Sequence, residues 1–207
     1  INSVLGPSLV ASLRFYIISL VLTRPTAYPA ASSAKMWSFC AILSTLRLNL
    51  ALWLPLSLDQ EKAFDRVDWP FLFRTLSHLD FEQPFISWVK LLYSGVHSTI
   101  LVNGYTSNSF QPFWGVRQGC PLSPLLYVIS IEVLAANLRS HPDIVGLRPS
   151  GLNCALPVVS LYADDTSVIA SSPAAIHAVF NVYRVFESGS GSRLNLNKCE
   201  GLRLGPW

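Results

Sequence analysis

Charge is what this chain has least of. Lys and Arg supply 15 of its 207 residues and Asp and Glu 12, so 13% is charged against 51% hydrophobic. A soluble domain usually carries about twice that charged fraction. The net charge of +3, with a pI near 8.8, admits a nucleic-acid partner without requiring one. Cysteine is sparse and scattered: Cys40, Cys120, Cys154 and Cys199 make no Cys-x-x-Cys spacing and have no histidine pair near them. Zinc and a secreted disulfide scaffold are therefore excluded as readings, and a reducing compartment is the expectation. No internal repeat is present. A signal peptide fits poorly too, because no basic region precedes the first apolar run and no clear cleavage site follows it. This length fits one domain, or one domain and part of another.

What stands in place of charge is apolar sequence, concentrated at the N-terminus. SLVASLRFYIISLVL (Ser8 to Leu22) and WSFCAILSTLRLNLALWLPLSL (Trp37 to Leu58) are long enough to suggest membrane spans. Arg14 and Arg47 fall in the middle of them, where a charge costs about 2.5–3.5 kcal/mol. A membrane-associated protein is one reading of these runs, but on balance no membrane is expected.

From Leu56 the pattern becomes that of a globular domain. LSLD (Leu56 to Asp59) reads as the end of a buried strand. DWPFLFRTLSHL predicts a helix with Asp68 as N-cap and Pro70 in the first turn. QPFISWVKLLYSG predicts a second helix, stopping at Gly95. STILVNGYTSNSFQPF alternates around Asn103-Gly104, a hairpin signal. SPLLYVISIEVLAANLRS predicts a buried helix with Ser123 as cap and Pro124 at its first position. LPVVSLYADDTSVIA reads as two short strands with an aspartate pair at the turn. SPAAIHAVFNVYRVFES predicts a helix that starts at Ser172-Pro173 and ends before Gly189-Ser190-Gly191. Strands separated by helices, with two hairpins, indicate an α+β fold whose sheet is covered by helices on one face.

The aspartate pair, Asp164 and Asp165, raises the chemical question. Like charges side by side repel, and their flanks are apolar. A polar turn is the plain reading. The alternative is a divalent cation between the charges, which makes such a pair tolerable. Mg²⁺ takes one or two carboxylates plus substrate phosphates, so a further carboxylate should end a neighbouring strand. Asp59, closing LPLSL, is the candidate.

These residues carry a resemblance. YADD (Tyr162 to Asp165) resembles the catalytic hairpin of reverse transcriptases. LDQEKAFDRVDW (Leu58 to Trp69) is similar to their first aspartate motif, and GVRQGCPLSPLLY (Gly115 to Tyr127) to their template-and-nucleotide motif. The three occur in family order, and the wording EKAFDRV and RQGCPLSP is that of non-LTR (LINE-type) retrotransposons. The resemblance runs from about Leu58 to the C-terminus. It implies the palm of a right-hand polymerase, a small antiparallel sheet backed by helices, with incomplete fingers and no thumb, the latter expected beyond Trp207. It also implies an RNA template, a DNA primer and deoxynucleoside triphosphates as partners, in the nucleus or the cytoplasm. The palm would occupy residues 57–207 and an atypical apolar segment residues 1–56.

By the same resemblance, Asp59 and Asp164 hold two Mg²⁺ ions, or Mn²⁺ in their place, and Asp165 is the third, less direct carboxylate. Phe64 is either the aromatic gate beneath the sugar, selecting deoxynucleotides, or an ordinary core residue. Gln118 and Gly119 line the nascent base pair. Arg117 is either a phosphate contact or a surface charge. Lys198 is either a proton donor to the pyrophosphate leaving group or a solvated loop lysine. Asp65 and Asp68 are structural, the first paired with Arg66 or Lys62 and the second a cap. A non-catalytic remnant is the competing reading of the same family.

The odd N-terminus has an explanation of its own. Relatives in this family carry a polar stretch resembling PDQTYGVPGR and then NVxLLRD before the first aspartate motif. This chain has VLTRPTAYPAASSAKMWSFCAILS there (Val21 to Ser44). Codons exist for that string which, with one G placed in front and read from it, spell GPDQTYGVPGRFIGENVVLLRDIV. A segment of the fingers translated out of frame is therefore expected at 21–44, with frame restored shortly before Leu58. Little or no polymerase activity is expected of such a chain.

Overall fold

The computed structural model describes residues 54–145, 158–162 and 164–202, Tyr162 by its backbone alone. The two apolar runs up to Trp53, and with them residues 21–44, where an out-of-frame segment is expected, lie outside the described residues. Among those described, no helix is long and apolar enough to cross a membrane.

The first strand is β1 (Leu54–Leu58), which ends directly at Asp59. A short 3-10 turn (Ala63–Arg66) leads into α1 (Trp69–His78). Asp68 caps α1 as expected, its Oδ1 accepting from Phe71 N at 2.7 Å, and Pro70 sits where its missing N–H costs nothing. Helix α2 (Gln83–Tyr93) follows and stops at Ser94-Gly95. Strands β2 (Leu101–Val102) and β3 (Tyr105–Thr106) close the predicted hairpin, with Asn103 and Gly104 both at positive φ as a type I′ turn demands. Then come α3 (Ser123–Ser140), β4 (Val159–Tyr162), β5 (Asp165–Ala170), α4 (Pro173–Ser190) and β6 (Glu200–Gly201).

Three details differ from the sequence reading. Ser123 is the first residue of α3, not its cap; its hydroxyl is buried and accepts no backbone N–H. Helix α4 does not break before Gly189 but runs through Ser190, because that end is docked: Asp68 N donates to Ser190 O at 3.0 Å, and Ser190 Oγ bonds back to Phe186 O at 2.7 Å. Asp164 alone stands in the β4–β5 turn, while Asp165 already belongs to β5.

The four-stranded antiparallel sheet has the order β4-β5-β1-β6, with Leu58 opposite Thr166 and Tyr162 opposite Asp165. Alternation sends Leu56, Leu58, Val168 and Ala170 into the core, where Leu72, Leu76, Leu126, Leu134 and Val179 of the helices cover them. The other face shows a row of small polar side chains: Ser160, Ser167 and Ser57 are paired across three strands, and Glu200 continues the row on the fourth. The fold is the expected α+β sheet with helices on one face.

Candidate active site

Asp59 comes one residue after the last β1 pair, and Asp165 one residue before Thr166, so the same register sets them side by side on the open face with Ser57 and Ser167. Asp164 is exposed in the turn beyond. A buried phenol registers all three. Burial pushes the Tyr127 hydroxyl far above its ordinary titration range, and the charges of Asp164, Asp165 and Asp59 push it in the same direction. The structure therefore sets Asp59 beside Asp165 at neighbouring strand ends, with Asp164 in the adjoining turn.

Lys198 joins them. The segment 193–195 runs beside the end of β1, with Glu61 N donating to Arg193 O at 2.8 Å and Asn195 N to Asp59 O at 2.9 Å. That ladder delivers Lys198, whose exposed Nζ lies 3.9 Å from Asp59 Oδ2. Phe64 stacks on Tyr127 with ring centroids 4.7 Å apart and planes 15° from parallel. The gate candidate is thus half-buried and adjacent to the carboxylates, its position set by the ring beneath it.

The Gly115–Gly119 segment is strapped to the residues after Asp59. Gly115 N donates to Val67 O at 2.8 Å, Val116 N to Phe64 O at 2.7 Å, and Trp69 Nε1 to Gly115 O at 2.8 Å. Gln118 Nε2 reaches Asp65 Oδ1 at 3.2 Å, so Asp65 pairs with Gln118; Arg66 turns instead to Glu61 at 2.9 Å. Sequence spacing favoured a neighbour in the chain, but the strap brings in a residue 53 positions away. Gly119 has φ +86° and open space above it. Arg117 donates to Leu92 O at 3.3 Å, at the C-terminal end of α2. Sequence reasoning missed Tyr127 and its partner Gln60, although both lie inside the quoted motifs; a polar side chain in an otherwise buried position was the available signal.

The strap makes a stability prediction. A Cβ on Gly115 would sit 2.9 Å from Asp65 O, at φ +88°. Gly115→Ala should therefore cost about 2–3 kcal/mol in denaturant unfolding. Gly104→Ala, at φ +83° but with nothing within 4 Å, should cost only about 1 kcal/mol. Equal costs would show that the close approach is relieved cheaply.

The donor set fits a hard divalent cation: carboxylate oxygens, partly exposed, with one mobile lysine as counter-charge. Among the described residues, no group of three or more His, Cys, Asp or Glu side chains is placed so that it could hold a metal ion. Two carboxylates completed by substrate phosphates are what Mg²⁺ usually takes.

Comparison with known proteins places the chain. The family "Reverse transcriptase (RNA-dependent DNA polymerase)" matches residues 21–204, reaching further towards the N-terminus than the three motifs do. The Transposon TX1 uncharacterized 149 kDa protein of Xenopus laevis is 35% identical over 72% of this chain. The retrovirus-related Pol polyprotein from type-2 retrotransposable element R2DM of Drosophila melanogaster is 29% identical over 69%. The chain spans only 11% and 13% of these two relatives. Among solved structures, telomerase from Candida tropicalis in complex with the TWJ fragment of telomeric RNA is similar at TM-score 0.63 and 12% identity, covering 95% of this chain and 33% of that one. The apo form truncated from its C-terminal domain gives TM-score 0.55 at 16% identity, over 97% and 41%. These likenesses establish the fold, a partial polymerase palm. Reverse transcriptases generally use divalent metal ions. The chain belongs to the reverse transcriptase family and is a partial reverse transcriptase domain of the non-LTR retrotransposon type.

Proposed function

We propose that residues 57–207 are the palm of an RNA-directed DNA polymerase that joins deoxynucleotides to a DNA primer on an RNA template, and that residues 1–56 are the remnant of its fingers. The observation that carries this reading is the placing of Asp59 beside Asp165 by the β1–β5 register, with Asp164 in the adjoining turn and Phe64 stacked on Tyr127. Two Mg²⁺ ions, replaceable by Mn²⁺, would supply activation of the primer 3′-hydroxyl and neutralisation of the triphosphate. Asp59 and Asp164 are the residues to hold them, and Asp165 completes the local negative field. Lys198 balances Asp59 while no cation is bound; once displaced, its ammonium is free to donate a proton to the departing pyrophosphate. Gln118, held by Asp65, and Gly119, open above its backbone, offer a surface for the nascent base pair. Arg117, anchored at the end of α2, is the candidate for a phosphate contact. The chain as it stands is weak or inactive, since its fingers segment is the one translated out of frame.

The test is RNA-templated primer extension by the frame-restored chain joined to its downstream thumb. No extension would overturn the polymerase reading. Phe64→Val in that context should raise the share of ribonucleotides incorporated, because a smaller side chain admits the 2′-hydroxyl. Losing the stack on Tyr127 costs about 0.5–1.5 kcal/mol in its own right, so the ratio of ribo- to deoxynucleotide use, and not the rate, is the readout. An unchanged ratio returns Phe64 to the core.

A further inference from the structure

Beneath the carboxylates lies a layer of buried polar side chains that the roles above do not use. Gln60, Thr166 and Tyr183 are 5%, 0% and 2% exposed, and Tyr127 is 2%. Tyr127 donates its hydroxyl to Gln60 Oε1 at 3.3 Å. Gln60 Nε2, Thr166 Oγ1 and the Tyr183 hydroxyl are buried with no hydrogen-bond partner. They are not scattered: the Tyr183 hydroxyl faces both Thr166 and Gln60. Buried polar groups are costly when unpaired and tightly held when joined. Here the donors and acceptors match, amide N–H to phenol oxygen and phenol O–H to threonine hydroxyl, so a small shift joins all four.

Their positions in the chain give the layer its meaning. Gln60 directly follows Asp59, and Thr166 directly follows Asp165. Alternation turns each carboxylate to the open face and each of these neighbours into the core. Tyr127 comes from α3 and Tyr183 from α4. Tyr127 already bonds Gln60, and once the Tyr183 hydroxyl joins Gln60 to Thr166 one chain of hydrogen bonds would tie the two strand ends bearing the carboxylates to both covering helices. Those ends need tying, because like charges at neighbouring strand ends repel, and the largely exposed Lys198, 3.9 Å from Asp59, offsets only part of that.

We infer that Gln60, Thr166, Tyr127 and Tyr183 form a buried clasp that holds the ends of β1 and β5 against the mutual repulsion of Asp59, Asp164 and Asp165, and so positions the carboxylates for a divalent cation. The metal half of this inference rests on the function proposed above. The clasp itself does not need a metal to be seen.

The test uses the whole chain with Thr166→Val, which keeps shape and removes the hydroxyl, and Thr166→Ser, which restores it. In the absence of metal and at low salt, Thr166→Val should speed hydrogen exchange at the Asn195 amide, which is bonded to Asp59 O, by about tenfold relative to amides within α3. In about 1 M salt, where charge interactions are screened beyond about 3 Å, the difference should vanish, and Thr166→Ser should exchange like the wild type. Mn²⁺ affinity should fall about tenfold in Thr166→Val. Unaltered exchange at Asn195, or acceleration equal at both salt concentrations, overturns the clasp. A wild-type chain that binds no Mn²⁺ overturns the metal reading and the positioning role with it, while the exchange comparison still decides whether the strand ends are held as described. Tyr183→Phe provides a second variant on the opposite side of the clasp and should behave as Thr166→Val does.

Discussion

Replacing Asp164 by Asn should abolish the paramagnetic broadening that Mn²⁺ is expected to produce around the β4–β5 turn. Asn keeps the size of the side chain and one oxygen but carries no charge, so the turn remains and its attraction for a cation does not. Loss of an outer-shell partner already weakens a metal site by roughly 10–100-fold; loss of a ligand's charge should exceed that and leave binding unmeasurable at millimolar Mn²⁺. In the frame-restored chain with its thumb, the same substitution should abolish primer extension. The substitution also lightens the negative field around Tyr127, to which Asp164 contributes more than Asp165 or Asp59. Equal broadening in the wild type and in Asp164→Asn would remove the metal assignment. Broadening lost in Asp164→Asn but kept in Asp59→Asn would place a single cation at the hairpin alone.

The second large effect concerns the N-terminal segment. Restoring the frame across residues 21–44 should turn a chain with no detectable primer extension into one that extends. The present string carries two charged residues, Arg24 and Lys35, whereas the alternative GPDQTYGVPGRFIGENVVLLRDIV carries acids and arginines throughout. A fingers segment must present polar groups towards nucleotide and template, and an apolar replacement offers none. The encoding DNA decides first: its alternative frame over Val21 to Ser44 must spell a segment of this kind. If it does not, the out-of-frame account is wrong and the apolar runs return as a feature in their own right. If it does and the restored chain, joined to a thumb, remains inert, the polymerase reading is overturned.

The sequence was most informative where local chemistry and tertiary structure agree. Asp68 before Trp69-Pro70, Asn103-Gly104, and Ser172 before Pro173 are signals satisfied within a few residues, and each appears where expected: Asp68 Oδ1 accepts from Phe71 N, and Ser172 Oγ from Ala175 N at 3.1 Å. Motif order announced the carboxylates. It could not announce what lies behind them, because the Gln60–Tyr127 bond joins residues 67 apart and the Asp65–Gln118 bond residues 53 apart. Ser123 misled for a related reason. Its place before Pro124 reads as a cap, yet its hydroxyl is buried beside Tyr93 and Cys120 and serves the packing of α2 against that turn.

The serine row across the open face has a mechanical consequence. A strand of nucleic acid lying over Ser160, Ser167 and Ser57 meets short neutral hydroxyls in place of long cationic arms. Each hydroxyl exchanges one acceptor for the next with little change in energy, so the surface offers grip without a preferred stopping point. Under the proposed function this is a low-friction track. A product duplex could advance by one base step without breaking a fixed ion pair, and firm holding would fall to parts of the enzyme outside this sheet.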